Sequence, residues 1–259
     1  MMRYRNYSYE EYERAMELLN KGFGITTISK KLGIPKSTLH YWRHNLNKPP
    51  TTRWIPKPSS ELAYVLGVLL GDGYIVREHH NNYDIELLVK DYDFAEEFSK
   101  VMARVLDKNF KIPRRWRRRP DFWRVYYQSK AFHQWFKEQT LDTLKPYIEY
   151  NRDTVKYFLR GIYDSEGCNY RCKQIFLSNN DLKLLSYIQY LLKKYFSIKA
   201  TGPYLNVKAG SIMVKGGKRF RRNHNNYYIT ISKRRDLRVF LSKIGFSIRR
   251  KQLGLPRRM

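Results

Sequence analysis

The chain has 259 residues, 42% of them hydrophobic, enough for one large core or two modest ones. Its 51 Lys and Arg against 23 Asp and Glu leave a net charge of +28, which points to a polyanionic partner, nucleic acid ahead of a membrane surface. No run reaches the ~18 apolar residues of a membrane span, the start MMRYRNYSYEEYERA has no apolar signal core, and two cysteines cannot build a disulfide framework. A cytoplasmic, intracellular setting is therefore expected. Cys168 and Cys172 have no second Cys/His pair at metal-ligand spacing and read as strand or turn residues.

Residues 1–46 read as a small all-α unit. SYEEYERAMELLNKG opens on Ser8 as an N-cap and stops at Gly22; a short helix from Ile25 through Leu32 then meets a turn at Gly33, and another helix starts near Ser37 after Pro35. A short helix, a glycine turn and a basic second helix resemble a helix-turn-helix, which brings Lys36, Ser37, Thr38, His40 and Arg43 toward DNA. Residues 47–60, NKPPTTRWIPKPSS, contain four prolines and no periodicity and read as a semi-rigid linker.

Beyond the linker the chain repeats itself. In the first copy, 61–150, a glycine-bearing apolar helix ends at LLGDG. Strand-like YDIELLV (Tyr83 to Val89), a helix from Asp93 to Leu106, the basic and aromatic KIPRRWRRRPDFWRVYYQSK and a helix from Ala131 to about Lys137 follow. The second copy, 151–259, repeats the order: a helix ending at DSEG, strand KQIFLS, a helix from Asp181 to Phe196, glycine-interrupted basic residues, strand YYITISK and helix RDLRVFLSKIG. Each copy reads as α-β-β-α-β-β-α, so the fold class is α+β with two paired halves.

Glycine in a helix interior costs about 1 kcal/mol relative to alanine, so Gly67 and Gly71 need a reason. They lie one turn apart on one face, and Gly161 and Ser165 have the same spacing in the second copy. Two bulk-free faces allow the helices to approach backbone to backbone. A symmetric crossing then sets Asp72 and Glu166 side by side at one end. Like charges so close raise each other's pKa or call for a cation. Mg²⁺ takes one or two carboxylates and completes its shell with phosphate and water, which fits phosphodiester hydrolysis.

LAYVLGVLLGDGYI and VKYFLRGIYDSEGCN resemble the paired motifs of the LAGLIDADG homing endonucleases in their single-chain, two-motif form, with the last nine motif positions at Val65 to Gly73 and Leu159 to Gly167. The resemblance covers about residues 60–255. It implies pseudo-twofold αββαββα halves whose curved antiparallel sheets form a saddle over double-stranded DNA. It also implies a monomer that makes Mg²⁺-dependent double-strand breaks at a long target site, with Asp72 and Glu166 as metal ligands. Glutamate at the second acid departs from the commoner aspartate and keeps a carboxylate. The family's basic residue late in each half matches Lys145 and Arg249 best, and its polar position after the second strand matches Lys90, where the second copy has Asn179.

Strand alternation assigns the DNA face. Ile229 and Ile231 turn inward and Tyr228, Thr230 and Ser232 outward; Trp123, Val125 and Tyr127 turn inward and Arg124, Tyr126 and Gln128 outward. Arg114, Arg115, Arg117 and Arg118 in RRWRRR, with Lys218, Arg219 and Arg221 in KGGKRFRR, read as phosphate grips. Two alternatives stay open on the same fold: a catalytically silent DNA-binding regulator and an RNA-splicing maturase. The sequence carries no target code, and it does not separate an intron-encoded gene from a free-standing one.

Overall fold

The computed structural model describes residues 7, 9–44, 54–78, 82–215 and 218–256. Ser8, expected as an N-cap, residues 45–53 of the proline-rich stretch and the Gly216-Gly217 tip of the basic run lie outside them. The chain forms two compact units, one up to Ile55 and one from Pro56. Among the described residues no helix is long and apolar enough to cross a membrane.

The first unit has three helices: α1 (Tyr9–Asn20), α2 (Ile25–Leu32) and α3 (Lys36–Arg43). Gly33 ends α2 in the left-handed region at φ 65°, and its N–H bonds back to Ser29 O, a geometry that favours glycine. Tyr12, Ala15, Ile28, Ile34, Leu39 and Trp42 make the core. Trp42 anchors it, meeting Tyr7 and Tyr12 edge-on at 5.4 and 5.3 Å.

The second unit contains the duplication. Its first half runs α4 (Ser60–Leu69), β1 (Tyr74–Glu78), β2 (Asn82–Val89), α5 (Tyr92–Leu106), β3 (Arg114–Trp116), β4 (Arg119–Gln128), α6 (Lys130–Lys137) and α7 (Leu141–Ile148). The second runs α8 (Arg152–Glu166), β5 (Gly167–Tyr170), β6 (Gln174–Asn179), α9 (Leu182–Phe196), β7 (Thr201–Val207), β8 (Ile212–Lys215), β9 (Lys218–Arg221), β10 (Asn226–Ile231), α10 (Arg234–Val239) with a π-turn over Phe240–Ile244, and α11 (Arg249–Gln252). The sheets are antiparallel with equivalent orders, β1-β2-β4-β3 and β5-β6-β10-β7; β8 and β9 form a separate hairpin with no counterpart among the described residues of the first half. This is the α+β architecture expected from the repeat.

Helices α4 and α8 are the spine. Every residue of α4 from Leu62 to Leu69 is buried, as suits a helix that is apolar all round. Ser59 caps α4 through its side chain (Leu62 N to Oγ, 3.0 Å), and Asn151 caps α8 in a reciprocal capping box with Thr154. The glycines do what their spacing predicts. A Cβ on Gly67 would stand 2.3 Å from Phe158 O, and one on Gly161 would stand 2.3 Å from Tyr64 O. Only glycine permits these two backbones to touch. Gly71 meets Ser165 in the same manner, its missing Cβ 2.5 Å from the serine Cβ.

Alternation sorts the strands. Ile85, Leu87, Val125 and Tyr127, and in the second half Ile175, Leu177, Ile229 and Ile231, are buried beneath the helices. Two positions depart from the simple pattern. Trp123, expected inward, is only half-buried, with the Arg115 guanidinium 3.8 Å over its ring. Thr230, expected outward, is 9% exposed because neighbouring strands bring Phe176 and Thr201 alongside it.

Candidate active site

The two acids arrive by different local geometry. Helix α8 runs through Glu166 and ends at Gly167. Helix α4 stops at Leu69, and the N–H groups of Gly71 and Gly73 both close on Val68 O, so Asp72 sits in the turn just beyond. Gly71 packs against the end of α8: its missing Cβ would lie 3.2 Å from Glu166 Cγ. The crossing therefore brings the two acid-bearing ends together, one acid from each half.

Electrostatics bears this out. Burial first, and the Asp72 charge second, push Glu166 up to about 7, while Lys251 pulls the other way. Asp72 is exposed and Glu166 half-buried. Among the described residues no group of three or more His, Cys, Asp or Glu is placed to hold a metal.

The basic residues chosen from sequence fare unequally. Lys145 is not brought to the acids. It lies on α7, whose last residue touches the first turn of α8 (Thr154 Oγ1 to Ile148 O, 2.8 Å), and it pairs with Asp142 at 2.7 Å. Fourteen residues at 1.5 Å each put that end of α8 about 20 Å from Glu166. The match of Lys145 to the family's late basic position does not account for α7, which leads the chain back to the far end of α8.

Lys90 is at the correct end of its sheet, since the β1–β2 register (Tyr74 opposite Glu86) continues toward Asp72 and Lys90 together. Its ammonium pairs with Asp121 at 2.7 Å. Arg249 opens α11 with its side chain exposed and its N–H bonded to Asp93 Oδ2 at 2.6 Å.

The residue that sequence reasoning missed is Lys251, two positions further on. It is 6% exposed, and its Nζ donates to the terminal carbonyls of α8, Tyr163 O (3.3 Å), Asp164 O (2.5 Å) and Ser165 O (3.3 Å). A cation is favoured at a helix C-terminus. Burial nonetheless pulls Lys251 down to about 8, against the upward influence of Asp164 and Asp72. In the run Arg249-Arg250-Lys251 nothing distinguishes the member that turns inward, because α11 is too short to show a period.

Beneath the acids, Asp164 is buried and accepts from Tyr64 Oη (3.0 Å), Ser247 Oγ (2.6 Å) and Ser247 N (2.9 Å). Burial pushes it up to about 6 against those bonds. Arg250 grips Asp91 with two bonds of 2.6 Å and ties the C-terminal segment to the first half.

The expected nucleic-acid contacts are mostly at the surface. Lys36, Ser37, His40 and Arg43 are exposed on α3, with Thr38 half-buried. Arg114, Arg115, Arg117, Arg118, Tyr126, Gln128, Arg219, Arg221 and Ser232 are exposed, and Tyr228 is half-buried; the Lys218 backbone lies in β9. Arg115 is held locally, donating to Pro120 O at 3.1 Å. Arg124 needs correction as an open contact: it forms a two-bond pair with Glu86 at 2.7 and 2.6 Å.

The paired helices, equivalent sheets and converging acids define a two-domain protein of the LAGLIDADG fold. Family models agree in both halves: the WhiA LAGLIDADG-like domain matches residues 61–131 and a LAGLIDADG-like domain matches residues 153–204. Among curated proteins, an uncharacterised protein of Methanocaldococcus jannaschii is 29% identical over 99% of this chain and 89% of its own length. A second uncharacterised protein of that organism is 35% identical over 53% of this chain and 55% of its own. Among solved structures, the homing endonuclease I-DmoI in complex with DNA and Mn superposes at a TM-score of 0.50 with 19% identity, covering 73% of this chain and 98% of that one.

Proposed function

We propose that this protein is a sequence-specific DNA endonuclease that makes double-strand breaks in a long target site with Mg²⁺. The observation that carries the reading is that the α4–α8 crossing brings one acid-bearing end from each half together, near enough for the Asp72 charge to act on Glu166. A structural role explains the glycines but gives no reason for an acid at the end of both helices in a chain of charge +28. The I-DmoI structure with DNA and Mn adds support at the level of fold.

The donor set fits a hard divalent cation. Two carboxylates, with no third His, Cys, Asp or Glu grouped with them among the described residues, suit Mg²⁺, which keeps waters and takes phosphate oxygens. Asp72 and Glu166 would hold it, and when bound it would activate water and stabilise the leaving oxygen. Lys251 anchors the end of α8, so we assign it a positioning role for Glu166. Arg249 and Lys90 serve as phosphate contacts near the same end, and Lys145 is set aside. The exposed Lys36, Ser37, His40 and Arg43 of α3 extend the recognised site as a helix-turn-helix would, and the two halves in one chain act as a monomer.

A plasmid library carrying randomised inserts tests the reading. Linear product that requires Mg²⁺ and maps to one recurrent sequence is the expected result; binding without cutting under any divalent metal would refute it. One observation favours a second reading, the silent DNA-binding regulator: the buried Lys251 charge already offsets part of the acid pair's repulsion, as a bound cation would. That reading gives recurrent binding and no cut.

A further inference from the structure

We infer that the two sheets read the two halves of the DNA target by different chemistry, and that the second sheet selects thymine methyl groups. The inference rests on the DNA-reading function proposed above. In both sheets one face lies under helices, so the opposite face is the one left for a duplex.

The registers of the two open faces differ in kind. In the first sheet the pairs Gln128↔Asp84 and Tyr126↔Glu86 line up polar and charged groups, and Arg124, opposite Leu88, is joined to Glu86 by two short bonds. The equivalent rows of the second sheet are Phe176↔Thr230↔Thr201 and Ser178↔Tyr228↔Tyr204. These rows carry no charge. Phe176 meets Tyr228 at 5.9 Å between ring centres, and Tyr228 meets Tyr204 at 5.5 Å, so an aromatic band crosses three strands. Tyr204 is 48% exposed, and Thr230 Oγ1 is buried without a hydrogen-bond partner.

Those side chains restrict what can be recognised. With neither arginine nor carboxylate in them, these two rows lack the bidentate contact to guanine and the acceptor for cytosine N4. The Thr201 methyl and the Phe176 ring, both half-buried, instead match the C5-methyl of thymine, the one apolar feature in the major groove. In the first sheet the exposed Gln128 is suited to adenine, and the Tyr126 hydroxyl beside it adds a further hydrogen-bonding group. The target is therefore chemically lopsided, with T·A pairs under the second sheet and hydrogen-bond-coded pairs under the first.

The test uses the full chain, free of divalent metal, on a randomised duplex library, followed by deoxyuridine for thymine in one half-site at a time. Each lost methyl in the half-site under the second sheet should weaken binding about fourfold, as expected for one buried methyl-sized group. Uridine in the other half-site should have no effect. Phe176→Ala should remove the uridine sensitivity, and Thr201→Ser, which deletes one methyl and keeps the hydroxyl that donates to Thr230 O, should reduce it without disturbing the fold. A G·C-rich half-site under the second sheet, or uridine tolerance there in the wild type, overturns the inference while leaving DNA reading intact. Recovery of no preferred sequence would instead remove the DNA-reading function, and this inference with it.

Discussion

Glu166 owes its raised pKa to burial first and to Asp72 second, and that order makes a prediction. Asp72→Asn removes only the second cause, so the Glu166 carboxyl should titrate below about 7 but still above its ordinary 4.5. A carboxyl-carbon NMR titration reads this directly; an unmoved Glu166 would mean that the two acids do not interact. The linkage has a definite sign. In the wild type, between about pH 4.5 and 7, the folded protein holds a proton at Glu166 that the unfolded chain has released, so this residue's contribution to stability falls as pH rises through that window. Losing Asp72's charge narrows the window from above.

At the scale of elements, α4 and α8 hold the two halves together through backbone contact. Gly67→Ala gains about 1 kcal/mol of helix propensity but drives a methyl to 2.3 Å from Phe158 O, where no side chain can move aside. A net loss of roughly 2–3 kcal/mol is expected from such overpacking, with Gly161→Ala similar because its obstacle is Tyr64 O. Denaturant unfolding checks both, and a neutral result for either would contradict the close crossing. The second tie is Arg250 with Asp91. Arg250→Ala should cost about 1–3 kcal/mol, the range for bonds to a charged group left without its partner, with Lys only partly restoring it because it cannot bond bidentately. These two ties were not equally legible in the sequence. The glycines announce themselves because two copies repeat the same spacing against helix propensity. Strand faces were readable where alternation was clean, as in Ile229 and Ile231. Arg250, Lys251 and the fate of Lys145 were hidden because each depends on where a distant segment comes to rest, and a basic run gives no sign of which member turns inward. Arg124 was misjudged for a related reason: Glu86 lies 38 residues away in sequence and reaches it only across the sheet.

For the whole molecule, a charge of +28 predicts that phosphates dominate affinity. If about six to ten phosphates are neutralised, raising salt from about 50 to 200 mM should weaken DNA binding roughly 10³- to 10⁵-fold, measurable by fluorescence anisotropy; a flat response would argue against phosphate-led binding. The central claim is narrower: one acid from each half makes one cutting centre. The direct measurement is cleavage and binding of the selected target by Asp72→Asn and by Glu166→Gln, each beside the wild type in Mg²⁺. Either substitution alone should lower cutting about a thousandfold, the effect of losing several kcal/mol of charge stabilisation, while the affinity for DNA stays close to that of the wild type. Cutting that persists in either variant would contradict a shared centre.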